Sequence, residues 1–179
     1  MRATEETERL LLRMIREDDL DYLAALFADP DVVKYVCDGQ PAGRDEAERA
    51  LHSIIKGWET HDFGRWAVVG KQSGEFIGFG GLRSLFGTPE VVYHLAKAHW
   101  GKGYATEMAQ AALRFGFEKC GHDRIVAIAK PGNAASIRVM DKLGMRFKRN
   151  ARYYEIDVVE YEITPNEFTP DDSHFQVLP

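Results

Sequence analysis

The chain has 179 residues, enough for one domain with a real core, since a domain of about 150 residues buries some 68–70% of its unfolded surface. Its 45% hydrophobic and 28% charged residues are ordinary for a soluble globular protein, and a net charge of −5 argues against a dedicated nucleic-acid binder, which needs a basic face to displace counterions. No apolar run approaches the roughly 20 residues of a membrane span, the N-terminus is charged from Arg2 onward, and Cys37 and Cys120 show neither metal-type nor disulfide spacing. A reduced, cytoplasmic protein with no metal and no membrane partner is expected.

Leu10 to Ile15 reads as a strand, and Asp18 or Asp19 caps a helix whose apolar positions Leu20, Leu23, Leu26 and Phe27 recur at helical spacing. Pro30 ends that helical region. From Asp45, the positions Ala47, Ala50, Leu51, Ile54, Ile55 and Trp58 mark a second amphipathic helix, closed near Gly57. Arg65 to Val69 and Glu75 to Leu82 make a hairpin around a turn at 71–74, and Val91 to Leu95 adds a strand. Met108, Ala109, Ala112, Leu113 and Phe115 give a long helix, Thr106 to Lys119, its buried stripe. Arg124 to Ala129 is a near-continuous apolar strand of the kind covered on both faces. The last helix begins at Asn133 or Ala134 and ends at Gly144, and two strands follow, around Tyr153 to Glu155 and from Val158 to Thr164. This order fits a single α/β domain with helices on both faces of a sheet that is mostly antiparallel at its flanks. The domain takes residues 1–168; the tail 169–179, with Pro170, Asp171, Asp172 and Pro179, lacks a core pattern and is expected to be mobile.

The stretch Trp100-Gly101-Lys102-Gly103-Tyr104-Ala105-Thr106-Glu107 stands where a strand hands over to a helix. Two glycines at such a junction let successive backbone N–H groups turn toward one point, with the positive end of the helix dipole behind them, which suits a phosphate. The same pair also serves plain turn chemistry, and the spacings of a P-loop and of a dinucleotide fingerprint are both missing. Downstream lies Asn133-Ala134-Ala135-Ser136-Ile137-Arg138-Val139-Met140-Asp141-Lys142-Leu143-Gly144-Met145.

Together these two segments resemble the acetyl-CoA site of the GNAT family of N-acetyltransferases, in particular the branch that acetylates the N-termini of ribosomal proteins. Thr7 to Arg13 with Asp18-Asp19 resembles that branch's opening, and Val158 to Thr164 with Glu167-Phe168 its last strand. The resemblance implies a mixed sheet with a splayed parallel strand pair. It implies acetyl-CoA as cosubstrate, its pyrophosphate on the backbone of Gly101, Lys102, Gly103, Tyr104 and Ala105 with Thr106 at the helix start, and Lys102 adding charge. Trp100 stands where the family has Gln or Arg. The strand end, His94, Leu95, Ala96 and Lys97, is expected to splay from Ala127 to Ala129 and leave room for pantetheine, which Asn133 bonds.

Ser136 is implied to lie near the sulfur and to hydrogen-bond the leaving thiolate; a helix-start serine that bonds backbone is the plainer alternative. Many members carry a tyrosine acid four residues later, where this chain has Met140. For the base, Glu90, His94, Glu155 and Glu160 sit on or beside the central strands, and alternation turns His94 away from Tyr93 toward the acceptor cleft. A lone strand histidine also serves structural ends, and an ordered water can act as base. Without the usual acid or an obvious strong base, the site suits an amine already partly neutral near pH 7 to 8. That is an N-terminal α-amine, pKa about 7.7–8.0, rather than a lysine at about 10.4. A small-molecule amine (polyamine, amino acid or antibiotic) is the alternative acceptor, and a non-catalytic acyl-CoA sensor the alternative class; a monomer or homodimer is expected.

Overall fold

Period-two alternation gives the strands two apolar faces to cover, and helices supply the covers. The computed structural model describes residues 4–170 and 175–178. Its strands are β1 (Thr4–Glu6), β2 (Leu10–Met14), β3 (Arg65–Gly70), β4 (Phe76–Leu85), β5 (Thr88–Leu95), β6 (Ile125–Ala129), β7 (Arg146–Tyr153), β8 (Ile156–Ile163) and β9 (Gln176–Leu178). They form one sheet in the order β7-β8-β6-β5-β4-β3-β2-β1-β9. Neighbours are antiparallel throughout, except that β5 and β6 run parallel. Their register is Glu90↔Val126, near the start of both strands, and β5 runs on to Leu95 without a further registered partner on that side.

The helices are α1 (Leu20–Ala28), α2 (Pro30–Val33), α3 (Arg44–Thr60), α4 (Tyr104–Glu118) and α5 (Ala134–Lys142). Leu23 and Leu26 of α1 and Ala47, Leu51 and Ile54 of α3 cluster with Ala67 and Phe79 on one face. On the other face Met108, Leu113 and Phe115 of α4 and Met140 of α5 cluster with Leu12, Val68, Leu82, Val91 and Ile125. Each such side chain, fully buried, contributes about 1.5–3 kcal/mol. The two layers meet at Trp58, whose ring lies 5.4 Å from Trp66 and 6.0 Å from Phe115, and whose indole N–H donates to the Arg65 carbonyl at 2.9 Å. Helix α4 comes so close to β4 that a Cβ on Gly80 would run into Met108 and, at 2.7 Å, into the Val92 carbonyl, which is why glycine occupies the middle of that strand.

Several boundaries differ from the expectations, each for a local reason. Pro30 opens a short helix instead of only ending one: Asp29 caps α2 by accepting the Asp31 N–H at 2.9 Å, and proline suits the first helical position. Gly57 lies inside α3, which continues to Thr60. Strands β4 and β5 are longer than their apolar cores and meet in a tight turn with φ of 48° at Phe86 and 87° at Gly87. Tyr154 and Glu155 are the turn between β7 and β8, with φ of 51° and 62°. The strand before them starts at Arg146, and its mostly polar, exposed sequence RFKRNARY carries no apolar alternation to announce it. In the tail, Gln176–Leu178 pairs with β1, whereas 171–174 and 179 lie outside the described residues. Among the described residues no helix is long and apolar enough to cross a membrane.

Glu5 sits in β1 with no exposed surface, and neither carboxylate oxygen has a hydrogen-bond partner among the described residues. Burial pushes its pKa up to about 7, against a smaller opposing pull from Lys119. An acid whose folded pKa is raised favours folding only while protonated, so its penalty is absent below the unfolded pKa of about 4.5, grows through pH 5 to 7, and is complete above pH 7. Glu5→Gln is therefore expected to raise stability at pH 8 by on the order of 1–3 kcal/mol, with the gain shrinking toward pH 4.5. Urea midpoints of parent and variant at pH 5 and pH 8 check this; a gain independent of pH would show that the charge is not the cause.

Candidate functional site

The loop between β5 and α4 is shaped by its two glycines. Gly101 at φ 73° and Gly103 at φ 83° both occupy the left-handed region, and Gly103 is the N-cap of α4. The turn leaves the N–H groups of Gly101, Lys102, Gly103, Tyr104, Ala105 and Thr106 without an acceptor among the described residues, while that of Glu107 closes the first helical bond to Gly103 at 3.0 Å. A run of free donors at the positive end of a 15-residue helix fits a pyrophosphate.

The turn between β1 and β2 grips this loop. The Glu107 carboxylate accepts from Thr7 Oγ1 at 2.6 Å, from the Arg9 backbone N–H at 2.8 Å and from Arg9 Nε at 2.7 Å. Arg9 Nη1 donates to the Lys102 carbonyl at 2.9 Å, and the guanidinium lies over the Tyr104 ring, 4.6 Å from its centroid. The Trp100 indole N–H donates to the Leu95 carbonyl at 2.8 Å, so its ring ties the loop to the end of β5. Lys97 reaches away to Asp31 on α2 at 2.6 Å, whereas the Lys102 ammonium has no partner among the described residues.

Both parallel strands end at helix starts, β5 at the glycine loop and β6 at Asn133, so two helix N-termini border the carboxyl end of the strand pair. Asn133 caps α5, its side-chain oxygen accepting the Ser136 N–H at 3.2 Å. Ser136 Oγ lies 2.9 Å from the Tyr93 hydroxyl, which also donates to the Ser136 carbonyl at 3.2 Å. Burial pushes the Tyr93 phenol up to about 12, the Ser136 bond opposing, so it stays protonated. Met140 is in the core at 1% exposure. Burial also pushes the Cys120 thiol up to about 11, which suits packing and not nucleophilic attack.

The opposite side of β5 carries Glu90 and His94. His94 stacks on Phe79 at 4.8 Å, and burial, then Arg83 and Arg65, press its pKa down to about 3. An imidazole with so low a pKa is a weak acceptor for the proton of an ammonium, which weighs against the expected role of His94 as base. Glu90 is 2% exposed and pairs with Arg83 Nε at 2.6 Å; burial raises its pKa, with Arg83 opposing. Glu160 receives Tyr153 Oη at 2.8 Å, Arg149 Nε at 3.1 Å and Lys148 Nζ at 3.3 Å. Burial works against its charge, yet those bonds hold its carboxyl below the usual range. Glu155 lies in an exposed turn beside Arg152. Phe86 stacks on Tyr153 and Tyr154, at 5.9 and 5.3 Å, joining the β4–β5 and β7–β8 turns at this rim.

Sequence reasoning named Ser136 and Asn133, which the structure brings together, and missed Tyr93 as their partner, although an inward tyrosine one strand from a predicted helix start was a usable signal. Arg9 and Glu107 lie 98 residues apart and gave no local signal.

With that geometry in view, the comparisons with known proteins converge. The family described as Acetyltransferase (GNAT) domain matches residues 9–146. An uncharacterized N-acetyltransferase, p20, of Bacillus licheniformis is 30% identical, covering 90% of this chain and 96% of its own. The FsC-acetyl coenzyme A-N(2)-transacetylase of Aspergillus fumigatus is 31% identical over 79% of this chain and 64% of its own. The crystal structure of a GNAT-family acetyltransferase from Bacillus anthracis superposes with a TM-score of 0.80 at 27% identity, covering 92% of this chain and 99% of that one.

A β-branched residue at Gly103 would be strained at its positive φ, and its Cβ would stand 3.3 Å from Arg9 Nη2. Gly103→Val is expected to weaken acetyl-CoA binding by roughly 1–3 kcal/mol, the scale of one charged hydrogen bond left unmade, while the exposed loop leaves the fold intact. Calorimetric titration with circular dichroism checks both; unchanged affinity in a folded variant would withdraw the loop from the site.

Proposed function

The chain belongs to the GNAT family of acetyltransferases, which act with acetyl-CoA, and from that premise we propose that it acetylates an N-terminal α-amine of a peptide or protein. The observation that carries the choice of amine is the state of the groups on the Glu90 side of β5. His94 is held neutral with a pKa near 3, and Glu90 is bound to Arg83, so the cleft is better matched to a nucleophile that sheds its own proton near pH 8 than to a lysine.

In this reading the N–H groups of Gly101 to Thr106 bind the pyrophosphate, with Lys102 adding charge. The edge of β5 past Glu90, with Leu95 and Ala96 at its end, offers strand-type hydrogen bonds to the pantetheine arm, and the Asn133 amide N–H bonds it from the other side. Ser136 donates a hydrogen bond to the sulfur as the C–S bond breaks. Tyr93 fixes the Ser136 hydroxyl; a phenol near 12 and a serine hydroxyl are donors toward a thiolate, whose usual pKa is about 8.5, and do not protonate it. The amine approaches from the Glu90 side already partly neutral, and water carries away the proton it sheds on attack. The Phe86, Tyr153 and Tyr154 rings supply an apolar rim for a peptide.

A second reading, a small-molecule amine, is favoured by the Aspergillus fumigatus relative, whose name describes an N(2)-transacetylase. Thiol release from acetyl-CoA over a panel of peptides, polyamines and amino acids distinguishes the two, and release with none of them would favour a non-catalytic acyl-CoA sensor.

Ser136→Ala is expected to lower kcat tenfold to a hundredfold with acetyl-CoA affinity nearly intact, as fits one lost hydrogen bond of about 1.5–3 kcal/mol to a developing charge. Tyr93→Phe should cost less, and the double variant little more than Ser136→Ala, because both act on one hydroxyl. Stopped-time assays with matched binding titrations check this; parental turnover in Ser136→Ala would leave that serine only its place in the helix start.

For a peptide carrying both amine types, acetylation is expected mainly on the α-nitrogen, with rate rising through pH 7 to 9 as that amine loses its proton. Mass spectrometry of the product decides it, and acetylation mainly on lysine Nε would refute the choice.

A further inference from the structure

The side of β5 that carries Glu90 also carries an unmatched positive charge. Arg65 opens β3 with its side chain on the same face as Ala67, the face α1 and α3 cover. Its cross-strand partner is Gly81, which brings no side chain, and the next residue along β4 on that face is Arg83. Arg83 is already committed to Glu90 at 2.6 Å. The Arg65 guanidinium has neither a hydrogen bond nor an ion pair among the described residues, although it is only partly exposed; Trp58 engages the backbone carbonyl of Arg65, not its side chain. Further along the sheet Glu160 is saturated by Lys148, Arg149 and Tyr153. Two guanidiniums and one carboxylate therefore share the start of the split between β5 and β6, leaving one positive charge over.

Burial, then repulsion from Arg83, lower the Arg65 pKa to about 10, and Glu90 opposes them only in part, so the cation remains charged at neutral pH at a cost. His94, which both arginines bias toward its neutral form, leaves Nδ1 buried without a partner beside them. A planar, five-donor cation in such a setting is suited to bidentate capture of a carboxylate.

We infer that the acceptor carries a carboxylate close to its reacting amine and that Arg65, with Arg83 beside it, binds that carboxylate in the cleft. The inference rests on the acetyltransferase reading and narrows it: an α-amine acceptor is a free amino acid or a peptide with an acidic residue near its first position, and a polyamine is disfavoured. Glu90 then stands between the two requirements, its charge partly balancing Arg83 while the substrate anion balances Arg65.

The test uses acceptors in pairs that differ only as carboxylate against carboxamide, one series with a free α-amine and one with a free ω-amine, all at saturating acetyl-CoA. The parent enzyme is expected to favour the carboxylate member by roughly ten- to a hundredfold in kcat/KM, mostly through KM, the scale of a charge-assisted hydrogen-bonded pair. In Arg65→Gln that ratio falls toward one, and Arg65→Lys restores part of it, since the charge returns without the fork. Raised salt should narrow the ratio less than it would for an exposed pair. Thermal midpoints and acetyl-CoA affinities, measured alongside, separate loss of fold from loss of charge. Equal kcat/KM within every pair, or a carboxylate preference that survives Arg65→Gln, would overturn the inference. Acetylation confined to the ω-amine series would refute the α-amine reading while still reporting, within that series, whether the carboxylate matters.

Discussion

The parallel pairing of β5 with β6 is registered at Glu90 and Val126, and the arrangement of the site follows from the interruption. A strand edge left unpaired inside a sheet exposes N–H and C=O groups that must find partners, and in a bounded gap a ligand with its own amide groups can supply them. Because the two strands run the same way, both hand over to helices at the same end of the gap, where helix N-termini suit a polyanion. Antiparallel pairing at this point would have put a turn in place of one of those helix starts.

The remaining parts hold this opening in one shape. Glu107 gathers three donors from a turn that precedes it by about a hundred residues, and with its side chain at 10% exposure those charge-assisted bonds operate where water competes poorly. On the other border, Tyr93 and Asn133 together fix Ser136 by its hydroxyl, its carbonyl and its N–H. Each border thus rests on a packed element and not on loop conformation alone, which is the condition for positioning reactants to within a fraction of an ångström. The two faces of β5 divide the chemistry: Tyr93 looks toward the helix start of α5, while Glu90 looks toward the arginines of β3 and β4.

What could be read in the sequence was what short-range patterns encode. Two glycines before an amphipathic helix announced the loop at 101–103, and the run 133–145 announced the second helix start. The alternation of Val91 to Leu95 put Tyr93 and His94 on opposite faces, as found. The strand at Arg146–Tyr153 escaped because an exposed strand needs no apolar alternation, and its turn was mistaken for a strand because tyrosine and glutamate rarely adopt the positive φ of Tyr154 and Glu155. The surroundings of His94 were not legible: no pattern in the chain says that a strand histidine will be stacked on Phe79 and feel the charge of Arg83 and Arg65. Arg9, Arg65 and Glu107 were equally silent, since an ion pair or its absence depends on what the sheet brings alongside.

One more consequence lies in the neighbourhood of β1. That three-residue strand is flanked by β2, which follows it closely in sequence, and by β9, which lies far along the chain. Without Gln176–Leu178, β1 would be an open sheet edge next to the turn that bears Thr7 and Arg9. The grip on the glycine loop therefore adjoins the strand pairing of greatest sequence separation in the fold, the kind of contact whose closure costs the chain most entropy. The shape of the loop is in this sense a property of distant segments held side by side and not of its own sequence alone.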